Sequence, residues 1–105
     1  MGSSQSTIEF IVEQVQDAGE IRYRKMFGEY ALYCNDKVVA LVCDEQLFIK
    51  KSSIIHNFLD DSHISPPFPG AKNYYKVPED KWDEREWLTD LIRQTAEQLP
   101  LPKKK

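Results

Sequence analysis

The chain has 105 residues, 41% of them hydrophobic and 30% charged, with a formal net charge of −3. That length makes one domain with a core of its own, and ordinary globular usage excludes a disordered chain. A mildly acidic balance argues against a protein that tracks nucleic-acid phosphates, because that affinity comes mostly from Lys and Arg.

No apolar run approaches the roughly 18 residues of a membrane helix, and no charged-then-apolar leader opens the sequence. Cys34 and Cys43 fit neither CxxC nor zinc spacing and read as reduced thiols of a cytoplasmic protein. Met1-Gly2-Ser3-Ser4-Gln5-Ser6 meets the loose N-myristoylation pattern, and Lys103-Lys104-Lys105 would supply a basic second signal. The plainer reading is a flexible polar lead over residues 1–6, a domain over residues 7–99 and a flexible basic tail over residues 100–105.

In chain order, Ser6 and Glu9 have capping-box spacing, and Ile8, Ile11, Val12, Val15 and Ala18 fall on one stripe. They predict an amphipathic helix over residues 7–18, stopped at Gly19. Residues 21–27 then alternate, with Ile21, Tyr23 and Phe27 on one side and Arg22 and Arg24 on the other, which is a strand signal that Gly28 interrupts. Residues 29–34 and 37–43 read as two more strands. Asn35-Asp36 between them suits a two-residue turn, since both residues tolerate positive φ. Such a turn sets Cys34 against Lys37, Tyr33 against Val38 and Ala31 against Ala40. Asp44-Glu45 is a weaker turn into a fourth strand over residues 46–50.

This meander places Tyr30, Leu32, Val39, Leu41 and Phe48 on one face, and Ala31, Tyr33, Val38, Ala40, Val42, Leu47 and Ile49 on the other. Both faces are apolar, so each needs a cover. Cys34 and Cys43 fall at opposite ends of one hairpin, beyond disulfide reach at about 3.3 Å per residue. Ser52 or Ser53 caps a short helix through Ile54, Ile55, Phe58 and Leu59. Pro66, Pro67, Pro69 and Gly70 make residues 62–71 an extended loop. Residues 73–77 read as a fifth strand at the sheet edge. Asp83 and Glu86 form a second capping box, and Trp87, Leu88, Leu91, Ile92 and Leu99 stripe a closing helix broken at Pro100. The predicted fold is α+β: an antiparallel meander of about five strands, helices at both ends and one short helix between.

Cys34, Cys43, His56 and His63 are the candidates for a metal site or a Cys–His nucleophile. They show no close pair and no oriented third group, so they read as plain thiols and polar histidines. Glu79, Asp80, Asp83, Glu84 and Glu86 crowd the start of the closing helix, where they complement its dipole better than they make an acid–base pair. With no phosphate loop or cofactor box, the sequence predicts no enzyme, no cofactor and no metal. Arg22, Arg24 and Lys25 flank Tyr23. On nucleic acid they would meet phosphate while Tyr23 stacked on a base, which is the alternative reading. On a protein they would anchor an interface, and protein contact is the favoured one, with Arg22, Arg24, Lys25 and Glu29 as the candidate surface. A homodimer that covers the second apolar face is also expected.

The block Arg24-Lys25-Met26-Phe27-Gly28-Glu29-Tyr30, followed by Leu32-Tyr33, resembles the opening strands of the TfoX N-terminal domain family. Lys37-Val38-Val39-Ala40-Leu41-Val42 through Asp44, Leu47-Phe48 and Lys50 matches a second signature of that family. Pro67-Phe68-Pro69-Gly70-Ala71-Lys72 with Tyr74-Tyr75, then Trp87-Leu88, completes a resemblance that runs from Ile11 to about Leu99. It implies a bacterial regulator of competence and DNA uptake, a coactivator that works with the catabolite activator protein and has no recognised DNA-binding motif. A bacterial source would discount lipidation. Full-length members carry a second, C-terminal domain, for which 105 residues leave no room. The family supplies no catalytic residue; its partner would be a transcription regulator.

Overall fold

The computed structural model describes residues 4–26 and 28–100. Residues 1–3 of the expected lead, Phe27 of the first predicted strand and the basic tail from residue 101 onward lie outside the described residues, and the lipidation pattern falls largely there.

Helix α1 (Gln5–Val15) runs into a 3-10 turn at Gln16–Ala18 and buries Ile8, Ile11, Val15 and Ala18. It starts two residues earlier than expected, and the Ser6–Glu9 box does not form. Ser4 occupies the N-cap without a side-chain cap bond. The anion at this helix end comes instead from a distant turn. The Ser4 N–H donates to Glu45 Oε1 at 3.0 Å, and Thr7 Oγ1 donates to the same oxygen at 2.7 Å.

Strands β1 (Ile21–Met26), β2 (Glu29–Cys34), β3 (Lys37–Cys43) and β4 (Gln46–Ile49) form the meander. Both short turns have positive φ at each central residue: 54° and 69° at Asn35 and Asp36, 53° and 61° at Asp44 and Glu45. That is the turn whose twist matches flanking strands. The sheet continues through β5 (Ile64–Ser65) and β6 (Tyr74–Val77) in the order β1-β2-β3-β4-β6-β5, antiparallel throughout. Among the described residues it has six strands rather than five. The proline-rich segment contributes the two-residue β5, which takes the edge, so residues 74–77 are interior.

The predicted pairs Cys34–Lys37 and Tyr33–Val38 are present, but the register shifts between Leu32 and Tyr33. Leu32 pairs with Ala40 and Ala31 with Leu41, so the expected Ala31–Ala40 pair is replaced and Val39 is the extra residue of a β-bulge. Side chains alternate with period two, so one extra residue exchanges the faces of everything after it. Ala40, Val42, Leu47 and Ile49 share a face with Tyr30 and Leu32; Leu41 and Phe48 share the other with Ala31 and Tyr33.

The first face carries the core. Leu32, Val42 and Leu47 pack with Ile8 and Ile11 of α1 and with Leu88 and Leu91 of α2 (Arg85–Gln98). The second capping box does not form either: Glu84 is the N-cap of α2 and makes no side-chain cap hydrogen bond. The short helix after Ser53 is a 3-10 turn, Ile55–Asn57, held by the Ile55 N–H donating to the main-chain oxygen of Ser52 at 3.2 Å. Among the described residues both α-helices therefore sit on one face of the sheet. On the second face the proline segment brings Phe68 beside Leu41 and Cys43.

Candidate partner-binding surface

Strand β1 is an edge strand and is exposed from Arg22 to Met26. Its register aligns Arg24 with Ala31, Leu41, Phe48 and Lys76 in one row across the second face. Ala31 and Phe48 in that row are buried. Lys25 instead aligns with Tyr30, Val42, Leu47 and Val77, on the helix-bearing face. Arg22, Arg24, Lys25 and Glu29 are thus gathered at one edge but not on one face: Arg22, Arg24 and Glu29 lie on the second face and Lys25 on the first.

Two of the four are engaged within the chain. Arg22 forms an exposed ion pair with Asp36 of the β2–β3 turn. Glu29 Oε1 accepts the Asp44 N–H of the β3–β4 turn at 3.1 Å. Among the described residues Arg24 and Lys25 make no ion pair. Tyr23, offered to a base in the nucleic-acid reading, stands edge-on to Tyr30 with ring centroids 5.7 Å apart. Arg22 and Arg24 share the second face, but Arg22 is paired with Asp36 and Lys25 lies on the other face, so β1 does not present a row of unpaired cations to phosphate.

Beside β1 the second face opens into a cleft of about 470 Å³ lined by Met26, Glu29, Tyr30, Leu41, Cys43 and Phe68. Met26 and Phe68 are large apolar side chains exposed to 40% and 53%. Burial, with Glu29 and Asp44 adding to it, pushes the Cys43 thiol up to about 11. The thiol therefore behaves as a small apolar wall rather than a nucleophile. The one sequence signal for this cleft is an aromatic residue bracketed by prolines, Pro67-Phe68-Pro69; alternation alone points Leu41 the other way, and the bulge is what turns it outward.

The remaining candidates do not assemble. Cys34 lies on the helix face, where its Sγ donates to the Ala18 carbonyl at 3.8 Å, and burial raises its thiol. His56 Nε2 and the Tyr75 hydroxyl both meet Asp61 Oδ1, at 2.8 and 2.9 Å, while His63 Nδ1 meets Asp60 Oδ1 at 3.1 Å. The His56 and Tyr75 hydrogen bonds hold the Asp61 carboxyl below its usual range, and burial with the Asp61 contact raises the Tyr75 hydroxyl. These contacts tie the Ile55–Asn57 turn to β6. Among the described residues no three His, Cys, Asp or Glu side chains gather as metal ligands, and no helix is long and apolar enough to cross a membrane. At the start of α2, Lys81 pairs with Glu84 at 3.6 Å and lies over the Trp87 ring at 5.4 Å.

Comparison with known proteins agrees with this architecture. The family model described as TfoX N-terminal domain matches residues 13–99. A protein of Spirochaeta aurantia, described as an uncharacterized 12.7 kDa protein in the trpE 5′ region, is 39% identical over 103 residues, spanning 98% of this chain and 89% of that protein.

Proposed function

The chain belongs to the TfoX N-terminal domain family, and from that premise we propose that it is a non-enzymatic regulator of competence and DNA uptake that works by contacting a protein, a transcription regulator in the cytoplasm. The observation that carries this reading is the outer edge of β1, where among the described residues Arg24 and Lys25 make no ion pair and the next residue, Met26, lines an apolar cleft. Charged groups at such an edge steer encounter and choose partners, while apolar side chains and strand hydrogen bonds hold the complex. The neutralised Arg22 and the split of Arg24 and Lys25 between two faces favour protein over nucleic acid.

Deleting the gene in the source cell and measuring DNA uptake tests the role. Uptake is expected to collapse and to return when the wild-type chain is supplied. Unchanged uptake in the deletion strain would overturn the competence role.

A further inference from the structure

Building on the protein-contact reading above, we infer that β1 takes an extended segment of the partner as a seventh strand, and that this segment carries two consecutive acidic residues between two apolar ones. Among the described residues β1 pairs with β2 alone, which leaves a row of main-chain donors and acceptors on its outer side. An added strand keeps the alternation of the sheet, so its consecutive residues meet opposite faces. Arg24 and Lys25 are consecutive and point to opposite faces. Two neighbouring acidic residues satisfy both; two acids separated by one residue share a face and satisfy one.

The flanking positions are set by the same register. The residue opposite Met26 lies on the second face at the rim of the cleft lined by Met26, Leu41, Cys43 and Phe68. An apolar side chain is favoured there. The residue opposite Tyr23 lies on the helix face beside the Tyr23–Tyr30 pair, again an apolar setting. Read along β1 from Met26 to Tyr23, the complementary order is apolar, acidic, acidic, apolar. Cross-strand neighbours of this kind interact directly, with opposite charges favourable.

Pairing with a second copy of this chain through residues 22–25 of β1 is disfavoured. Antiparallel self-pairing of β1 about residue 22, 23, 24 or 25 sets Arg22 on Arg22, Arg22 on Arg24, Arg24 on Arg24 or Lys25 on Lys25. Like charges directly opposed are destabilising in every one of these registers.

The test is fluorescence anisotropy of the full chain with a labelled peptide, Thr-Gln-Leu-Glu-Glu-Val-Gln-Thr. Three changes are expected to weaken binding by about tenfold or more: spacing the two Glu residues by one position, replacing the peptide Leu by Ser, and the double substitution Arg24→Glu with Lys25→Glu. A Lys-Lys version of the peptide is expected to recover binding to that double variant. Hydrogen-exchange protection on binding is expected at β1. Equal binding of the adjacent and spaced peptides, or protection confined to other strands, would overturn the inference, and so would a dimer that pairs through β1. The two peptide changes leave the protein untouched, so they decide the matter even if the double variant folds poorly. If the double variant abolishes DNA uptake while peptide order has no effect, the protein-contact reading stands and the added strand falls.

Discussion

Thr7 Oγ1 donates to Glu45 Oε1 across 2.7 Å, joining the first turn of α1 to the β3–β4 turn 38 residues away. The Thr7 hydroxyl, then the Ser4 N–H, hold the Glu45 carboxyl below its usual range. The folded chain therefore takes up this proton less readily than the unfolded one. The stabilisation is complete above the unfolded carboxylate value of about 4.3 and is lost as pH falls through the lowered folded value. Glu45→Gln is expected to lower Tm at pH 7 by an amount that shrinks steadily below about pH 4. A gap as wide at pH 3 as at pH 7 would mean that the charge is not what Glu45 supplies.

The bulge at Val39 leads to an unusual pair of deletions. Without Val39, β3 alternates without interruption and its later residues keep their present faces. That deletion is expected to leave cooperative unfolding intact, at a cost of about 1.5–3 kcal/mol for the lost buried side chain. Removing Leu41 instead reverses the faces of Val42 and Cys43 against β2 and β4. Loss of the cooperative transition is expected there, and chemical denaturation of the two variants compares them directly.

Cys43 offers a reactivity test. Its thiol is raised from 9.0 to about 11, which at pH 8 leaves about a hundredfold less thiolate than an ordinary cysteine holds. Alkylation of Cys43 by iodoacetamide, followed by mass spectrometry, is expected to be slow in the folded chain and fast in denaturant. The sign for stability follows from linkage. The unfolded thiol loses its proton first, so the Cys43 contribution is complete below about pH 9 and is lost as pH rises toward 11. Fast alkylation of native Cys43 at pH 8 would show a thiol more exposed than the cleft wall allows.

The legible parts of this fold were those set by local chemistry. Asn35-Asp36 and Asp44-Glu45 marked both hairpin turns because their residues tolerate positive φ, and the stripes of α1 and α2 marked the helices. The face assignment after Val39 was not legible. Val38 and Val39 are identical, so nothing in the alternation shows where the phase slips. Both capping boxes had the right spacing, yet a tertiary carboxylate serves one helix and no side-chain cap forms at the other. For the site, the exposed cations of β1 were readable from their alternation. The cleft was not, because Leu41 reaches it through the bulge and Phe68 through a loop that folds back over the sheet.

The central claim is that regulation runs through the outer edge of β1. Arg24 and Lys25 are exposed and make no ion pair among the described residues, so reversing both is expected to change stability by no more than about 0.5 kcal/mol for each. The most direct measurement is DNA uptake by a deletion strain supplied with the Arg24→Glu, Lys25→Glu chain, alongside thermal unfolding of the purified variant. Uptake at the level of the deletion strain, with Tm near that of the wild type, is the expected result. Wild-type uptake from the folded double variant would contradict it.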